Sequence, residues 1–446
     1  MTASSGSVSF ARGVHPPEGK EYAEHAAIEV LPAPAKVVIP LVQHLGAPAK
    51  PIVEARQEVQ LGEKIGEASG FISAAVHATV TGKTAKSTAV TLPNGRHVQA
   101  IPIAAAGEQL EGEALKEDVL GGPWPTDVSG FDGRQIAEAA SEAGIVGLGG
   151  AAFPTHVKLL RNEKKPIDTL IVNGCECEPY LTSDYRLMVE APEAIVTGAL
   201  LAAEANAVEQ IAVVIEDNKP EAIATMRQAA GGTGIEVVAA RTKYPQGGEK
   251  QAIVAVTGRE TPTGGLPLDI GVVVVNVGTA AAIARAVVRG KPLTHRVVAV
   301  TGPGVVQPKN ILAPIGVSYG ELIDFCGGLT DDAVRVVAGG PMMGFTIGDL
   351  ATPVTKGTSG VTVLTEQEVR RGPQTPCLRC GQCVDACPLR LVPTKIAMAA
   401  KHGDWELARR YYITACMECG CCAYTCPASI PLVQLIRLGK AQMPRD

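Results

Sequence analysis

The residues best equipped for chemistry lie near the C-terminus: Cys377, Cys380, Cys383 and Cys387-Pro388, then Cys416, Cys419, Cys422 and Cys426-Pro427. Each half reads C-x2-C-x2-C-x3-C-P, the spacing that holds a 4Fe–4S cluster. Three thiolates on one short loop can bind three irons of a cube, and the fourth iron takes a thiolate from elsewhere. In two-cluster proteins that thiolate is the Cys-Pro cysteine of the other motif. The spacing therefore predicts one cluster on Cys377, Cys380, Cys383 and Cys426, and a second on Cys387, Cys416, Cys419 and Cys422. Crossed ligation puts both clusters in one small unit, close enough to exchange electrons. Structural zinc also takes four cysteines, but two full copies that each end in Cys-Pro favour the clusters. Cys421 falls out of register and is expected to be a non-ligand, while Cys177 and Cys326 are expected to pack.

Something upstream must feed those clusters. The chain has 446 residues, room for two to four domains, and 46% hydrophobic content fits well-filled interiors. A net charge of −5 argues against a nucleic-acid binder, which would show a basic face. Twelve cysteines in so long a chain do not resemble a secreted disulfide framework, and thiolate clusters suit a reducing compartment. Residues 1–12 lack the apolar run of a signal peptide. The most apolar stretch, Val272 to Val288, is broken by Asn276, Thr279 and Arg285, so no membrane span is expected.

Residues 1–125 read as β-rich, with short apolar runs punctuated by Gly and Pro. The stretch from Gln57 to Lys83 resembles the barrel-sandwich fold of biotinyl and lipoyl carrier domains, without a lysine hairpin to modify. A structural module is the expectation, with His77 packed or solvated and residues 104–130 a linker. From 126 to 294 the pattern alternates helices with β-branched runs at Thr169, Ile211, Ile235 and Val272. That rhythm predicts a Rossmann-like α/β domain with a largely parallel sheet. Residues 295–352 shorten to strand, hairpin, helix, strand, which suggests a β-grasp module, and 353–446 hold a connecting strand and the α-helical cluster domain.

Within the α/β domain, residues 144–158 read GIVGLGGAAFPTHVK. This loop follows a helix rather than a strand, so it fails the dinucleotide fingerprint. It still precedes a second helix, where backbone N–H groups and the helix N-terminus favour a phosphate, and Lys158 could add a cation. The strand from Thr169 ends in Asn173-Gly174-Cys175-Glu176-Cys177-Glu178-Pro179, polar groups at the end of a strand where open α/β sheets bind ligands. Tyr244-Pro245-Gln246-Gly247-Gly248-Glu249 and Asn276-Val277-Gly278-Thr279 follow.

In that order these segments resemble the FMN-binding subunit of respiratory complex I. The resemblance implies that Gly147, Gly149, Gly150, Lys158, Asn173, Gly248, Glu249, Asn276 and Thr279 hold FMN, and that Phe153, Glu176 and Glu178 face the nicotinamide nucleotide. Cys175 stands where that family has aspartate, and Leu148 where arginine is frequent. With the carrier-like N-terminus, the GGPMMG segment and the two ferredoxin-type motifs, the chain is similar over about residues 12–440 to the RnfC (RsxC) family. That implies a peripheral subunit on the cytoplasmic face of a membrane complex. Such a complex exchanges electrons between NADH and ferredoxin, through FMN and two 4Fe–4S clusters, while moving Na+ or H+. Other Rnf subunits, NADH and ferredoxin are the implied partners.

The chemistry fits. NADH releases two electrons as hydride and a cluster takes one, so a flavin must stand between them. No catalytic side chain is required; His15, His44, His156 and His295 are expected to be structural, and Cys175 is ambiguous. A soluble flavin and iron–sulfur cobalamin reductase, and a non-catalytic iron–sulfur wire, are the alternatives.

Overall fold

The computed structural model describes residues 7–369 and 372–444. Residues 1–6 of the first expected domain, and 370–371 and 445–446 of the last, lie outside the described residues.

The N-terminal strands are β1 (Ile28–Val30), β2 (Lys36–Pro40), β3 (Lys50–Pro51), β4 (Glu58–Val59), β5 (Lys64–Glu67), β6 (Val76–His77), β7 (Gly82–Thr84), β8 (Thr88–Thr91) and β9 (His97–Ala105). One sheet runs β2-β9-β7-β4 with β8 also on β9, and a small one runs β3-β5-β6. Val37, Ile39, Val59, Ile65, Val76 and Ile103 join the two through one core. This is the barrel sandwich. The stretch 104–130 is not a plain linker: it contains α1 (Gly112–Val119), whose Leu115 and Val119, four residues apart, bury against the core of the α/β domain. Flanking Gly and Pro masked a helix that tertiary packing stabilises.

The α/β domain comprises α2 (Gly133–Glu142), α3 (Thr155–Leu159), β10 (Thr169–Asn173), α4 (Ser183–Glu190), α5 (Pro192–Asn206), β11 (Gln210–Glu216), α6 (Pro220–Ala229), β12 (Glu236–Ala240), α7 (Glu249–Thr257), β13 (Val272–Asn276) and α8 (Val277–Arg289). Its sheet is wholly parallel in the order β12-β11-β10-β13. Leu170, Ile171 and Val172 are fully buried, as strands covered on both faces require. Each such side chain contributes roughly 1.5–3 kcal/mol. β10 and β13 pair so that Asn173 and Asn276 lie side by side at the C-terminal edge. That register sets the site.

The β-grasp region holds β14 (His295–Thr301), β15 (Lys309–Pro314), α9 (Tyr319–Phe325), β16 (Ala333–Ala338), β17 (Phe345–Thr346) and β18 (Gly360–Thr365). Its sheet order is β1-β15-β14-β18-β16-β17. The sheet therefore draws strands from both sides of residues 295–352: β1 arrives from the N-terminal region and β18 from beyond Thr352. Neither long-range pairing leaves a local sequence signal.

The C-terminal region is a repeat. Its helices are α10 (Gln382–Asp385), α11 (Pro393–Lys401), α12 (Trp405–Arg410), α13 (Cys421–Tyr424) and α14 (Leu432–Gln442). An offset of 39 residues carries Cys377 to Cys416, α10 to α13 and the start of α11 to the start of α14. Left-handed residues recur at the same offset: Arg379 and Glu418 (φ 57 and 61), Gly381 and Gly420 (82 and 83), Arg390 and Ser429 (56 and 52). The two long helices pack together through Ile396, Ala400 and Ile436.

The N-terminal strand laces these parts together. Val8 N–H donates to Ala239 O at 3.0 Å, Gly13 N–H to Ala386 O at 3.2 Å and Val14 N–H to Tyr244 O at 2.9 Å. Among the described residues no helix is long and apolar enough to cross a membrane.

Candidate functional site

The Gly-rich segment forms a loop closed at its base. Gly147 N–H donates to Phe153 O at 2.8 Å, and Thr155 N–H to Ile145 O at 3.0 Å, just before α3 begins. Thr279, on the first turn of α8, accepts from Leu148 N–H at 2.9 Å. Gly149 lies against Asn276, 3.2 Å from where its Cβ would stand, while Gly150 (φ 117) faces open space. Asn276 caps α8 through Gly278 and Thr279 N–H, and its amide donates to Asp184 at 2.6 Å. Phe153 is half-buried beside the loop. The cradle is present: backbone, a helix N-terminus and no side chain at Gly150.

Two buried cations from the β-grasp side hold this loop from below. Lys356 Nζ donates to Gly144 O at 2.6 Å and to Ala75 O at 2.7 Å, tying the barrel sandwich to the loop. Burial alone pushes its ammonium down to about 7. Arg296 donates to Leu148 O at 3.4 Å and to Lys356 O. A lone Lys in a T-K-G-T stretch gave no sequence signal of this role.

The edge of the sheet gathers some of the expected residues and disperses others. Asn173 Nδ2 donates to Gly247 O at 2.8 Å, bringing the strand end to the Gly247-Gly248 turn at the start of α7. Lys158 reaches inward, donating to Glu249 Oε1 at 2.8 Å and Val274 O at 2.9 Å. The two carboxylates expected at the nicotinamide also accept backbone N–H groups. Glu176, in a left-handed conformation (φ 44), accepts from Asp184 N–H at 2.7 Å and Tyr185 N–H at 3.0 Å, satisfying the first turn of α4. Glu178 accepts from Met342 N–H at 3.1 Å and Met343 N–H at 2.7 Å, gripping the GGPMMG loop, and burial pushes its carboxyl up to about 7. Cys175 turns into the sheet, its thiol 3.7 Å from Val214 O, and burial raises it. Lys20 was not foreseen: its Nζ donates to Glu176 O, Glu178 O and Leu181 O at 2.5–2.9 Å, fixing the whole turn.

Seven of the eight motif cysteines fall into two neighbourhoods. Cys383 lies within electrostatic reach of Cys380 and Cys426, whereas Cys416 and Cys422 interact with Cys419 and Cys387. Cys426 thus stands with the first motif and Cys387 with the second. Backbone N–H groups of Arg379 and Glu418 donate to Cys377 and Cys416 sulfur, each at 3.4 Å, another trace of the repeat. A cavity of ≈ 380 Å³, counting its open part, is lined by Cys387, Cys416, Cys419 and Cys422. Among the described residues no three His, Cys, Asp or Glu side chains converge tightly enough for a single metal ion. A four-iron cube holds its thiolates further apart than one ion does. Cys421 is buried, its thiol donating to Tyr244 O at 3.9 Å, and the neighbouring Cys419 together with burial raises its proton affinity.

The second motif rests on the α/β domain. Tyr244 O–H donates to Cys419 O at 2.7 Å, and Gly247 N–H to Cys177 sulfur at 3.2 Å. The Cε of Met417 is 2.7 Å from where a Cβ on Gly248 would stand. Contacts therefore run from Asn173 through Gly247-Gly248 to the loop carrying Cys416 and Cys419.

Comparison with known proteins defines the class first. Residues 140–285 match the Nuo51 FMN-binding domain, residues 8–108 the RnfC barrel sandwich hybrid domain and residues 297–346 the SLBB domain. This is a multidomain α/β protein built around an FMN-binding-type domain. The fold resembles that of an NAD+-reducing [NiFe]-hydrogenase in the H2-reduced state, with TM-score 0.52 and 21% identity over 74% of this chain and 66% of that one. The chain is 43% identical over 404 residues to a subunit of the proton-translocating ferredoxin:NAD(+) oxidoreductase complex of Clostridium ljungdahlii, covering 91% of this chain and 87% of that one. It is 42% identical over 435 residues to the corresponding subunit of the Na(+)-translocating complex from Acetobacterium woodii, covering 97% of each. The equivalent subunit of the ion-translocating oxidoreductase complex of Rhodobacter capsulatus is 41% identical over 439 residues, 98% of this chain and 83% of that one. The chain belongs to the RnfC family, whose members are subunits of ion-translocating oxidoreductase complexes.

Proposed function

We propose that the chain is the peripheral, NADH-linked subunit of an ion-translocating ferredoxin:NAD+ oxidoreductase complex, working at the cytoplasmic face of the membrane. Bound FMN would supply the conversion between a hydride pair and single electrons. In this reading Gly147, Gly149 and Gly150 bring backbone to the flavin phosphate, with the N-terminus of α8, capped by Asn276 and braced by Thr279, adding its positive end. Lys158 and Glu249 form the floor, and Asn173 and Gly248 the edge towards the cysteines. Phe153 offers an apolar face to the nicotinamide. Glu176 and Glu178 shape, through the bonds described above, the turn that would face the nicotinamide nucleotide. The C-terminal repeat is read as a ferredoxin-like domain, with cubes on Cys377, Cys380, Cys383 and Cys426 and on Cys387, Cys416, Cys419 and Cys422.

One observation carries the reading: the loop of the second motif packs directly on Gly247-Gly248, so a flavin on that edge would face the Cys387–Cys416–Cys419–Cys422 set first. The purified chain should hold about eight irons, from two four-iron clusters, and one FMN, and NADH should bleach both chromophores. Irons without flavin, and no bleaching by NADH, would sink the proposal.

A further inference from the structure

A cavity of ≈ 570 Å³, counting its open part, lies between α1, α4 and α8 and the strands β14 and β15. Leu148 and Gly278 border it, but none of the residues read as holding FMN does, so it adjoins the Gly-rich loop without being part of that site. Most of its wall is apolar. Three of the four acidic or basic side chains on it are cations, Arg285, Lys291 and Arg296 against Asp184. Asp184 is already bonded by the amide of Asn276 at 2.6 Å. Arg285 is only 6% exposed; its Nη2 donates to Asp118 at 3.0 Å and its Nη1 to Pro292 O at 3.2 Å. Its Nε is buried and has no hydrogen-bond partner among the described residues. A charged donor left unpaired in a protein interior is costly, so its presence on a cavity wall points to an acceptor there.

We propose that this cavity binds a small organic carboxylate, which accepts from Arg285 Nε and lays a short hydrocarbon body on the apolar wall. Lys291 and Arg296 add to the positive field. A mostly apolar concavity with a few convergent polar groups is the usual form of a small-molecule site. An inorganic anion would leave the apolar wall uncovered, and a cation would face three like charges. The backbone of Leu148 is held by Thr279 on one side and Arg296 on the other. An occupant against Leu148 would therefore brace the Gly-rich loop from behind. The site stands whether or not that loop holds FMN.

Calorimetric titration of the full purified chain with butyrate, in chloride buffer of matched ionic strength, tests this, with butyramide as the uncharged analogue. Butyrate should bind saturably, and butyramide about tenfold more weakly. Arg285→Lys keeps a cation but removes Nε; Lys291 and Arg289 still reach Asp118, at 3.0 and 3.6 Å, so the fold should hold. This variant should bind butyrate about tenfold more weakly, the scale of one charge-assisted hydrogen bond. Ala281→Leu, which fills part of the space, should abolish binding while iron content and the ligand-free melting temperature stay unchanged. If Arg285→Lys does not fold, Ala281→Leu decides. Undiminished binding in either folded variant overturns the proposal. So does a wild-type chain with no saturable binding, which would leave water alone on Arg285. Release of bound flavin by butyrate overturns it too, because the cavity would then belong to the flavin site. A chain that binds butyrate as expected but holds no FMN keeps this proposal and sinks the flavin reading instead.

Discussion

The two cysteine repeats have one spacing and two environments. The second lies under the α/β domain, with Cys419, Cys421 and Cys422 buried and Met417 and Gly420 in contact. The first turns the matching loop outward, with Cys377 and Cys380 exposed. The difference teaches that equal cysteine spacing fixes the candidate ligands, while the surroundings decide what a cluster held there would face. Burial and sulfur hydrogen bonds tune a cluster's potential, so two clusters held as proposed should not titrate alike.

The largest effect should come from Cys387→Ser. It removes a thiolate from the inward site although the residue belongs to the first motif, so EPR should show loss of the cluster built on Cys416, Cys419 and Cys422. Loss of the outward cluster instead would invert the assignment. Lys158→Ala comes next. By losing contacts to Glu249 and Val274 O it should weaken flavin retention about tenfold, the scale of one charged hydrogen bond. Dithionite should still reduce both clusters; iron loss alongside flavin loss would mean misfolding.

The glycine pair separates backbone strain from surroundings. Gly381 and Gly420 share φ near 82°. Gly381→Ala should cost only the left-handed strain, about 1–2 kcal/mol, whereas Gly420→Ala must also displace Met342 O, roughly a further 1–3 kcal/mol. Equal losses in thermal unfolding would break the distinction between a covered and an open face. A pH-dependent effect concerns Glu178, which grips the Met342–Met343 loop against the inward repeat. Its folded pKa is raised from 4.5 to about 7. Its contribution is therefore full below pH 4.5 and is lost as pH rises to about 7. Glu178→Gln should flatten the melting-temperature profile between those limits; an unaltered profile would remove Glu178 from the pH response.

Much of this was legible in the sequence because its causes are local. The cysteine spacing, the apolar runs of β10, β11 and β13, and the Gly-rich loop before α3 declare themselves within a dozen residues. What stayed hidden depends on partners far along the chain. β1 is short, and both β1 and the expected connecting strand β18 lie too far along the chain from β15 and β14 to betray their sheet. α1 needs the α/β core to bury Leu115 and Val119. Glu176 and Glu178, expected at the nucleotide, also have backbone partners that spacing does not show: the left-handed residue 176 accepts from the first turn of α4, and Glu178 from Met342 and Met343 N–H. Lys20, Arg296 and Lys356 act through backbone carbonyls, which carry no side-chain signature at all.

The N-terminal lacing sets an order of assembly. Residues 8–20 bond to carbonyls at Glu176, Ala239, Tyr244 and Ala386. On a ribosome the first of these partners emerges more than 150 residues later and the last more than 370 residues later. Contacts of such sequence separation form late. The leading strand must wait, unpaired, until the second half of the chain has been made. The strap closes over Ala386, next to Cys387, so a cluster loaded there as proposed during synthesis would meet a chain whose N-terminal segment is not yet in place.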